Sequence, residues 1–276
     1  MKEFTYEADV IVIGFGGAGG CAAIEAHKAG AEVILLEKQP EETHHSNTRM
    51  SGGGFHSPSG NRAALKEYAK AMFSGENLPW KLEGEQPDFS DELAEAWAEY
   101  APQNEPFMRS LDPDFKTVKI RNAAFPHFPG AQECDYIVVR STYTGQIDDY
   151  HNRSSRDTPK TEKVAGEAFH ACLLNGIKSR NIPVHYNTRA KELMTNGAGE
   201  VIGVRATGER GNAIYLARCG VVLASGGYEY NKRMRSAFLE GPGVDGWAFY
   251  GTTENTGDGI EMALKLGAAL SKAGKV

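Results

Sequence analysis

The chain has little of three features that mark large classes of proteins. No apolar run in its 276 residues approaches the ~18 residues of a membrane-spanning helix, and residues 1–8 contain no apolar stretch of a secretory signal. Its four cysteines include no CxxC pair, so neither a disulfide framework nor a zinc site is expected. With 30 Lys and Arg against 36 Asp and Glu, the chain offers no basic surface for nucleic acid. These absences predict a cytoplasmic protein that binds no metal and no nucleic acid.

A glycine-rich segment between an apolar run and a small-residue run is the most informative motif. The apolar run 9–13 predicts a strand, the glycines a tight turn, and the residues that follow a helix. In this pattern the first glycine permits the turn, the second lets a diphosphate approach the backbone, and the third lets the helix lie close to the strand. The residues predicted at this turn are Gly14, Gly16, Gly17, Ala18 and Gly19.

A second apolar strand is predicted over residues 33–36 and ends at Glu37, eighteen residues after Gly19. A carboxylate about 20 residues beyond the third glycine is the usual ligand of the ribose hydroxyls in a dinucleotide site. The complete strand–helix–strand unit therefore predicts an adenine dinucleotide site and disfavours a glycine-rich turn without a ligand.

Three further segments carry glycines or polar residues next to predicted elements. The glycines at 52–54 indicate open backbone dihedrals or close approach of a ligand, although a flexible surface loop has the same pattern. The apolar run 221–224 is followed by Ser225 and the glycines at 226–227. Such a sequence is expected where the end of a strand contacts a cofactor, although a turn that ends a strand has the same pattern. Asp258 either contacts the cofactor or caps the helix after it. His44 and His45 are interpreted as solvated loop residues.

The pattern of elements predicts an α/β fold with a central parallel sheet and a β-meander. Residues 55–160 form an irregular insertion with one helix over 91–100 and one strand over 136–139. After a helix that begins near Lys163, strands are predicted over 183–186, 190–194, 201–207, 213–217 and 220–224.

These residues resemble the N-terminal FAD-binding part of the fumarate reductase and succinate dehydrogenase flavoprotein superfamily, which includes 3-ketosteroid dehydrogenases and urocanate reductase. The resemblance is carried by the motifs at 9–14, 37–38, 47–53, 188–190, 224–227 and 256–259. It implies a Rossmann-like FAD-binding domain over residues 1–270, with residues 271–276 as the start of a missing capping domain.

The resemblance also implies the roles of individual residues. Gly14, Gly16 and Gly19 would meet the FAD diphosphate, Glu37 the adenosine ribose, and the backbone near Ala190 the adenine. The loop from Thr48 to Gly53 would face the isoalloxazine ring. The full set of implied cofactor-binding residues is Gly14, Gly16, Gly17, Ala18, Gly19, Glu37, Lys38, Asn47, Thr48, Ser51, Gly52, Gly53, Ala190, Ala224, Ser225, Gly226 and Asp258.

Two departures from the family pattern shape the functional prediction. Covalently flavinylated relatives carry histidine in Ser-His-Thr, where this chain has Ser46-Asn47-Thr48, so FAD is expected to be bound non-covalently. None of the eight histidines is followed by Pro-Thr, so the family's substrate-binding His-Pro-Thr segment is not found. The chain is therefore expected to be a fragment, inactive alone and without an assignable catalytic residue.

The predicted function is that of an FAD-dependent oxidoreductase that moves a hydride between flavin N5 and a small-molecule substrate with an activated C=C or C–C bond. The electron donor or acceptor is not identified. Two alternatives remain open: an NAD(P)-dependent dehydrogenase that uses the same glycine motif, and a non-catalytic FAD-binding module.

Overall fold

The computed structural model describes residues 4–74, 90–121, 123–139, 165–239 and 251–270. The chain forms two compact units, the first comprising Met1–Met50 and Leu173–Val276 and the second Ser51–Cys172. Much of the predicted insertion and all of residues 271–276 lie outside the described residues. No helix in the described part is both long and apolar enough to cross a membrane.

The secondary structure alternates strands and helices along the chain. The strands are β1 (Phe4–Ile13), β2 (Val33–Leu36), β3 (Gly54–His56), β4 (Thr117–Arg121), β5 (Tyr136–Val139), β6 (Val184–His185), β7 (Arg189–Thr195), β8 (Val201–Gly208) and β9 (Gly211–Leu223). The helices are α1 (Gly17–Lys28), α2 (Asn47–Met50), α3 (Arg62–Ser74), α4 (Ser90–Tyr100), α5 (Asn104–Leu111), α6 (Ala165–Ser179), α7 (Lys232–Phe238) and α8 (Asp258–Lys265).

A six-stranded sheet organises the first unit in the order β6-β2-β1-β9-β8-β7. The pairs from β6 to β9 are parallel, and the pairs from β9 to β7 are antiparallel. β2 is apolar at every position and fully buried, as expected for a parallel strand covered on both faces. The predicted α/β fold, with a central parallel sheet and a β-meander, is confirmed.

β9 is one continuous strand of 13 residues, so the prediction of two strands over 213–217 and 220–224 was wrong. It pairs with β8 as far as Leu216 and with β1 as far as Leu223. Arg218, at the predicted break, donates hydrogen bonds to Glu7 and Asp9 of β1. Arg218 is exposed, so the charged residue marks a solvent-facing position within a continuous strand and not a turn.

Small residues allow α1 to lie close to the sheet. Gly19, Gly20, Ala23 and Ile24 are its buried positions. A Cβ at Gly19 would lie 1.8 Å from the carbonyl oxygen of Gly14, so no other residue fits there without displacing the backbone. The predicted third-glycine role, close contact between helix and strand, is therefore visible in the packing.

The second unit contains an antiparallel sheet of order β3-β5-β4 and a helical core. The predicted helix over 91–100 and strand over 136–139 are present as α4 and β5. Helices α3 and α5 were not predicted. They lie in the predicted insertion, which holds nine of the twelve prolines. The spacing of Leu65, Tyr68 and Ala69, all buried in α3, is the i, i+3, i+4 signal that could have found it.

Candidate functional site

A cavity of about 540 Å³ lies in the first unit beside the carboxyl ends of β1, β2 and β9. This is where an open parallel sheet places a ligand, and the volume is in the range of small-molecule and cofactor sites. The predicted residues that line the cavity are Gly14, Gly16, Gly17, Ala18, Glu37, Lys38, Asn47, Thr48, Ala190, Ala224, Ser225, Gly226 and Asp258.

The glycines of the first turn have different reasons to be glycine. Gly14 has a φ of +100°, and a Cβ there would lie 2.5 Å from the carbonyl oxygen of Ala224. Gly16 has a φ of −94°, and its nearest neighbour would be Thr48 Oγ1 at 3.5 Å, an ordinary contact. Neither the dihedral angle nor the protein's own packing requires glycine at position 16. The residue lines the cavity, so the space beside its backbone is open to the site.

The N terminus of α1 carries a backbone donor and no opposing charge. The N–H of Gly17 donates to Thr48 Oγ1 at 2.7 Å, and the first turn contains no acidic residue. The first turn of α1 therefore contributes no carboxylate of its own, and the positive end of the helix lines the cavity, which favours an anion. The hydroxyl of Thr48 thus lies at the N terminus of α1, and its expected place beside the isoalloxazine ring stays a prediction.

Glu37 is held as a buried carboxylate. It is 5% exposed, and its two oxygens accept the backbone N–H groups of Phe15 at 2.9 Å and Gln39 at 2.8 Å. Burial acts to raise the pKa of Glu37, but His44 and these two N–H groups outweigh it and bring the pKa below its ordinary value. The side chain is therefore ionised at neutral pH and available to accept hydrogen bonds from hydroxyl groups.

His44 does not occupy the solvated position that the sequence analysis expected. It is 3% exposed, and its Nε2 atom lies 3.6 Å from Glu37 Oε2, whereas His45 is exposed. Its ring stacks on Phe15 at a centroid distance of 5.7 Å and meets Tyr186 edge-on. The prediction failed because the loop after β2 has no periodic pattern that would reveal which side chain turns inward.

Three charged side chains meet at one end of the cavity. Asp258, the first residue of α8, accepts hydrogen bonds from Lys38 Nζ at 3.1 Å and from Arg189 Nη2 at 2.8 Å. Burial acts to raise the pKa of Asp258, but Arg189, Lys38 and the Thr256 hydroxyl outweigh it and lower the pKa. Ala190, predicted near the adenine, directly follows Arg189 at the start of β7.

Side-chain amides form further contacts within the site. Asn47 Oδ1 accepts the backbone N–H of Thr252 at 2.7 Å. A Cβ at Gly226, whose φ is +77°, would lie 2.5 Å from Asn255 Oδ1. Asn47 therefore takes part in the folding of the site, at the position where covalently flavinylated relatives carry histidine.

Ser51, Gly52 and Gly53 belong to the second unit, so the cofactor role given to them stays a prediction. Gly53 has a φ of +67°, and a Cβ there would lie 2.5 Å from the backbone of Ala165. Its N–H donates to Ser51 Oγ at 3.1 Å. Of the two interpretations of this glycine run, the open backbone dihedral is the one that the structure shows at Gly53. In the described part of the chain, no three His, Cys, Asp or Glu side chains cluster to hold a metal ion.

Comparison with known proteins assigns the family. A family model described as an FAD binding domain matches residues 9–275. The 3-oxosteroid 1-dehydrogenase of Mycobacterium tuberculosis (strain ATCC 25618 / H37Rv) is 29% identical over 96% of this chain and 55% of its own length. The NADH:fumarate oxidoreductase of Klebsiella pneumoniae (strain 342) is 26% identical over 97% of this chain and 25% of its own length.

A solved structure agrees with these sequence matches. The crystal structure of 3-ketosteroid-Δ4-(5α)-dehydrogenase from Rhodococcus jostii RHA1, in complex with 4-androstene-3,17-dione, matches with a TM-score of 0.70 at 25% identity. The match covers 98% of this chain and 56% of that chain. The chain thus spans about half, or less, of the length of the curated relatives named here. It belongs to the FAD binding domain family.

Proposed function

We propose that the cavity of the first unit binds FAD non-covalently, with its diphosphate over Gly16 at the N terminus of α1. The observation that carries this proposal is Gly16 itself, since its backbone conformation and surroundings would admit a side chain. The adjacent helix end attracts an anion, and an ionised Glu37 lies on the same cavity. The residues present therefore fit an adenine dinucleotide.

The remaining parts of the ligand follow from the positions of the lining residues. Glu37 would accept hydrogen bonds from the adenosine ribose, and the backbone near Ala190 would lie beside the adenine. The amide of Asn47 offers no imidazole nitrogen for a covalent bond to the flavin. Asn47 Oδ1 is instead engaged by Thr252, which supports a non-covalent site.

The proposal for the whole protein extends beyond this chain. Because the relatives named above are a 3-oxosteroid 1-dehydrogenase and an NADH:fumarate oxidoreductase, we infer an oxidoreductase that acts on a small molecule with an activated C=C or C–C bond. Bound FAD supplies hydride transfer at N5, while the protein supplies position and electrostatics. The described residues bind and orient the cofactor, and no acid or base for the substrate is assigned among them.

Titration of the purified chain with FAD tests the proposal, with binding measured by calorimetry and folding by circular dichroism. We expect saturable uptake of FAD, competition by ADP, and weaker binding of NAD⁺ and NADP⁺. A folded chain that takes up no FAD contradicts the proposal. Tighter binding of NAD⁺ or NADP⁺ than of FAD favours a nicotinamide-dependent dehydrogenase instead.

A further inference from the structure

We propose that His44 is a positioning residue that holds Glu37 in the conformation that binds the ribose hydroxyls of the dinucleotide. The inference rests on the proposed function, because it concerns the same site. It assigns a role to a side chain that the glycine motif and its partner carboxylate do not include.

Burial is the first observation. The side chain of His44 is 2% exposed and that of Glu37 is 7% exposed, so both polar groups have left water. Removing such groups from water is unfavourable unless a partner of opposite character compensates. Their Nε2 and Oε2 atoms lie 3.6 Å apart, a distance at which the imidazole stabilises the carboxylate charge.

Both carboxylate oxygens of Glu37 can still accept a hydrogen bond from a ribose hydroxyl. The N–H groups of Phe15 and Gln39 each use one lone pair on a different oxygen of Glu37. A carboxylate has about four such sites, so one remains on each oxygen for a ribose hydroxyl. At 3.6 Å the imidazole lies beyond hydrogen-bond length from Oε2 and leaves that lone pair available.

Neighbouring rings fix the plane of the imidazole. Phe15 stacks on His44 with an angle of 16° between the rings, and Tyr186 meets it at 62°. The charged groups around this cluster are Glu37 at the end of β2, Glu41 in the following loop, and Arg49 of α2, which donates to the carbonyl of His44. Burial, together with Glu41 and Glu37, raises the pKa of Tyr186 to about 12, so this hydroxyl stays neutral.

The substitution His44→Phe tests the role, because it keeps a ring against Phe15 and Tyr186 and removes Nε2. The Kd is measured for FAD, ADP and 2′,3′-dideoxy-ADP by calorimetry. We expect about tenfold weaker binding of ADP, in line with coupling between contacting residues, and no change for the dideoxy analogue, which lacks the hydroxyls that Glu37 would bind. His44→Gln, whose amide N–H dipole can replace the polar edge of the imidazole beside Oε2, should recover part of the ADP affinity.

Two controls separate positioning from packing. His45→Phe alters the exposed neighbouring histidine and should leave all three Kd values unchanged. In the Glu37→Gln background, His44→Phe should cause no further loss of ADP affinity. If His44→Phe does not fold, His44→Met provides the same comparison, since methionine fills irregular space and has no donor.

The outcomes distinguish the two proposals. A wild-type chain that is folded but binds neither FAD nor ADP overturns the proposed function and this inference together. If the wild type binds and His44→Phe weakens ADP and dideoxy-ADP equally, His44 is a packing residue and the inference alone is wrong. Unchanged ADP affinity in His44→Phe overturns it as well.

Discussion

The glycines of the first turn differ in what lies where a side chain would be. At Gly19 the missing side chain leaves room for the backbone of Gly14, and at Gly14 it leaves room for Ala224. At Gly16 the nearest protein atom leaves enough space for a methyl group. A single motif thus contains glycines that the fold requires and one that it does not, and substitution can separate their proposed roles.

The first prediction compares Gly16→Ala with Gly19→Ala. Alanine at position 16 should change the free energy of unfolding by less than about 1 kcal/mol, because the position is a helix N-cap with an allowed dihedral angle. Its FAD affinity should fall at least about tenfold, since a methyl group would meet the diphosphate. Alanine at position 19 should lower the unfolding free energy by roughly 3 kcal/mol or prevent folding. Denaturant titration and calorimetry give both quantities, and equal stability of the two variants would contradict this division.

The second prediction concerns Glu37 and acid stability. Its folded pKa is below the ordinary value of 4.5, so the stabilisation that it contributes is present above pH 4.5 and is lost as the pH falls through the folded pKa. The stability difference between wild type and Glu37→Gln should therefore shrink as the pH is lowered from 6 to 3. Denaturant titrations across this range measure it, with Glu42→Gln, an exposed neighbour, as the control. A difference that stays constant with pH would show that the carboxylate is not specifically stabilised.

At the scale of elements, one carboxylate ties three segments together. Asp258 begins α8, Lys38 follows β2, and Arg189 begins β7. These segments are distant in the sequence and end at the same cavity. The N terminus of α8 also favours a negative charge, so Asp258 is stabilised by two cations and by its own helix.

The third prediction is that Asp258→Asn loosens this end of the site. With an amide at position 258, Arg189 loses its paired carboxylate and Lys38 keeps Glu254, at 3.6 Å, so FAD affinity should fall about tenfold and the free energy of unfolding by roughly 1–3 kcal/mol. Glu261→Gln, one turn along the same helix in an exposed pair with Lys265, is the matched control and should change neither quantity measurably. An Asp258→Asn variant with wild-type affinity and stability would show that the contacts are incidental.

The elements also show what the sequence could and could not predict. Parallel strands bring their carboxyl ends to one edge, so the meeting of Gly14, Glu37 and Ala224 followed from the strand pattern. The inward turn of His44 depends on a non-periodic loop and could not be predicted in that way. Helix α3 had a readable pattern at Leu65 and Tyr68, but the surrounding prolines obscured it. The single strand β9 was predicted as two strands because Arg218 and Cys219 interrupt its apolar pattern.

At the scale of the whole molecule, the chain contains a dinucleotide-binding unit and spans about half, or less, of the length of the relatives named above. The first unit is assembled from the two ends of the chain around one sheet, and the second from the residues between them. The strands and turns that form the cavity all belong to the first unit.

The fourth prediction is that the chain binds FAD reversibly and does not turn over. After reconstitution and acid denaturation, all flavin should be recovered in the supernatant, because Asn47 cannot form the covalent bond of histidine. The chain, reduced with dithionite, should show no turnover with fumarate or an enone as hydride acceptor, because no acid or base for the substrate is assigned among its described residues. Flavin that stays with the denatured protein, or measurable turnover, would contradict the respective half of the prediction.

β9 has a mechanical consequence for the cofactor site. It leaves a tight turn at residues 209–210, runs beside β8 and β1, and delivers Ala224, whose N–H donates to the carbonyl of Ile13 at 2.8 Å. Its 13 residues span roughly 40 Å at the usual rise of a strand. If one residue is inserted or deleted at that turn, either a bulge forms within β9 or Ala224 is displaced at the cavity. The length of β9 therefore links the hairpin at residues 209–210 to the position of Ala224, which forms part of one wall of the proposed dinucleotide site.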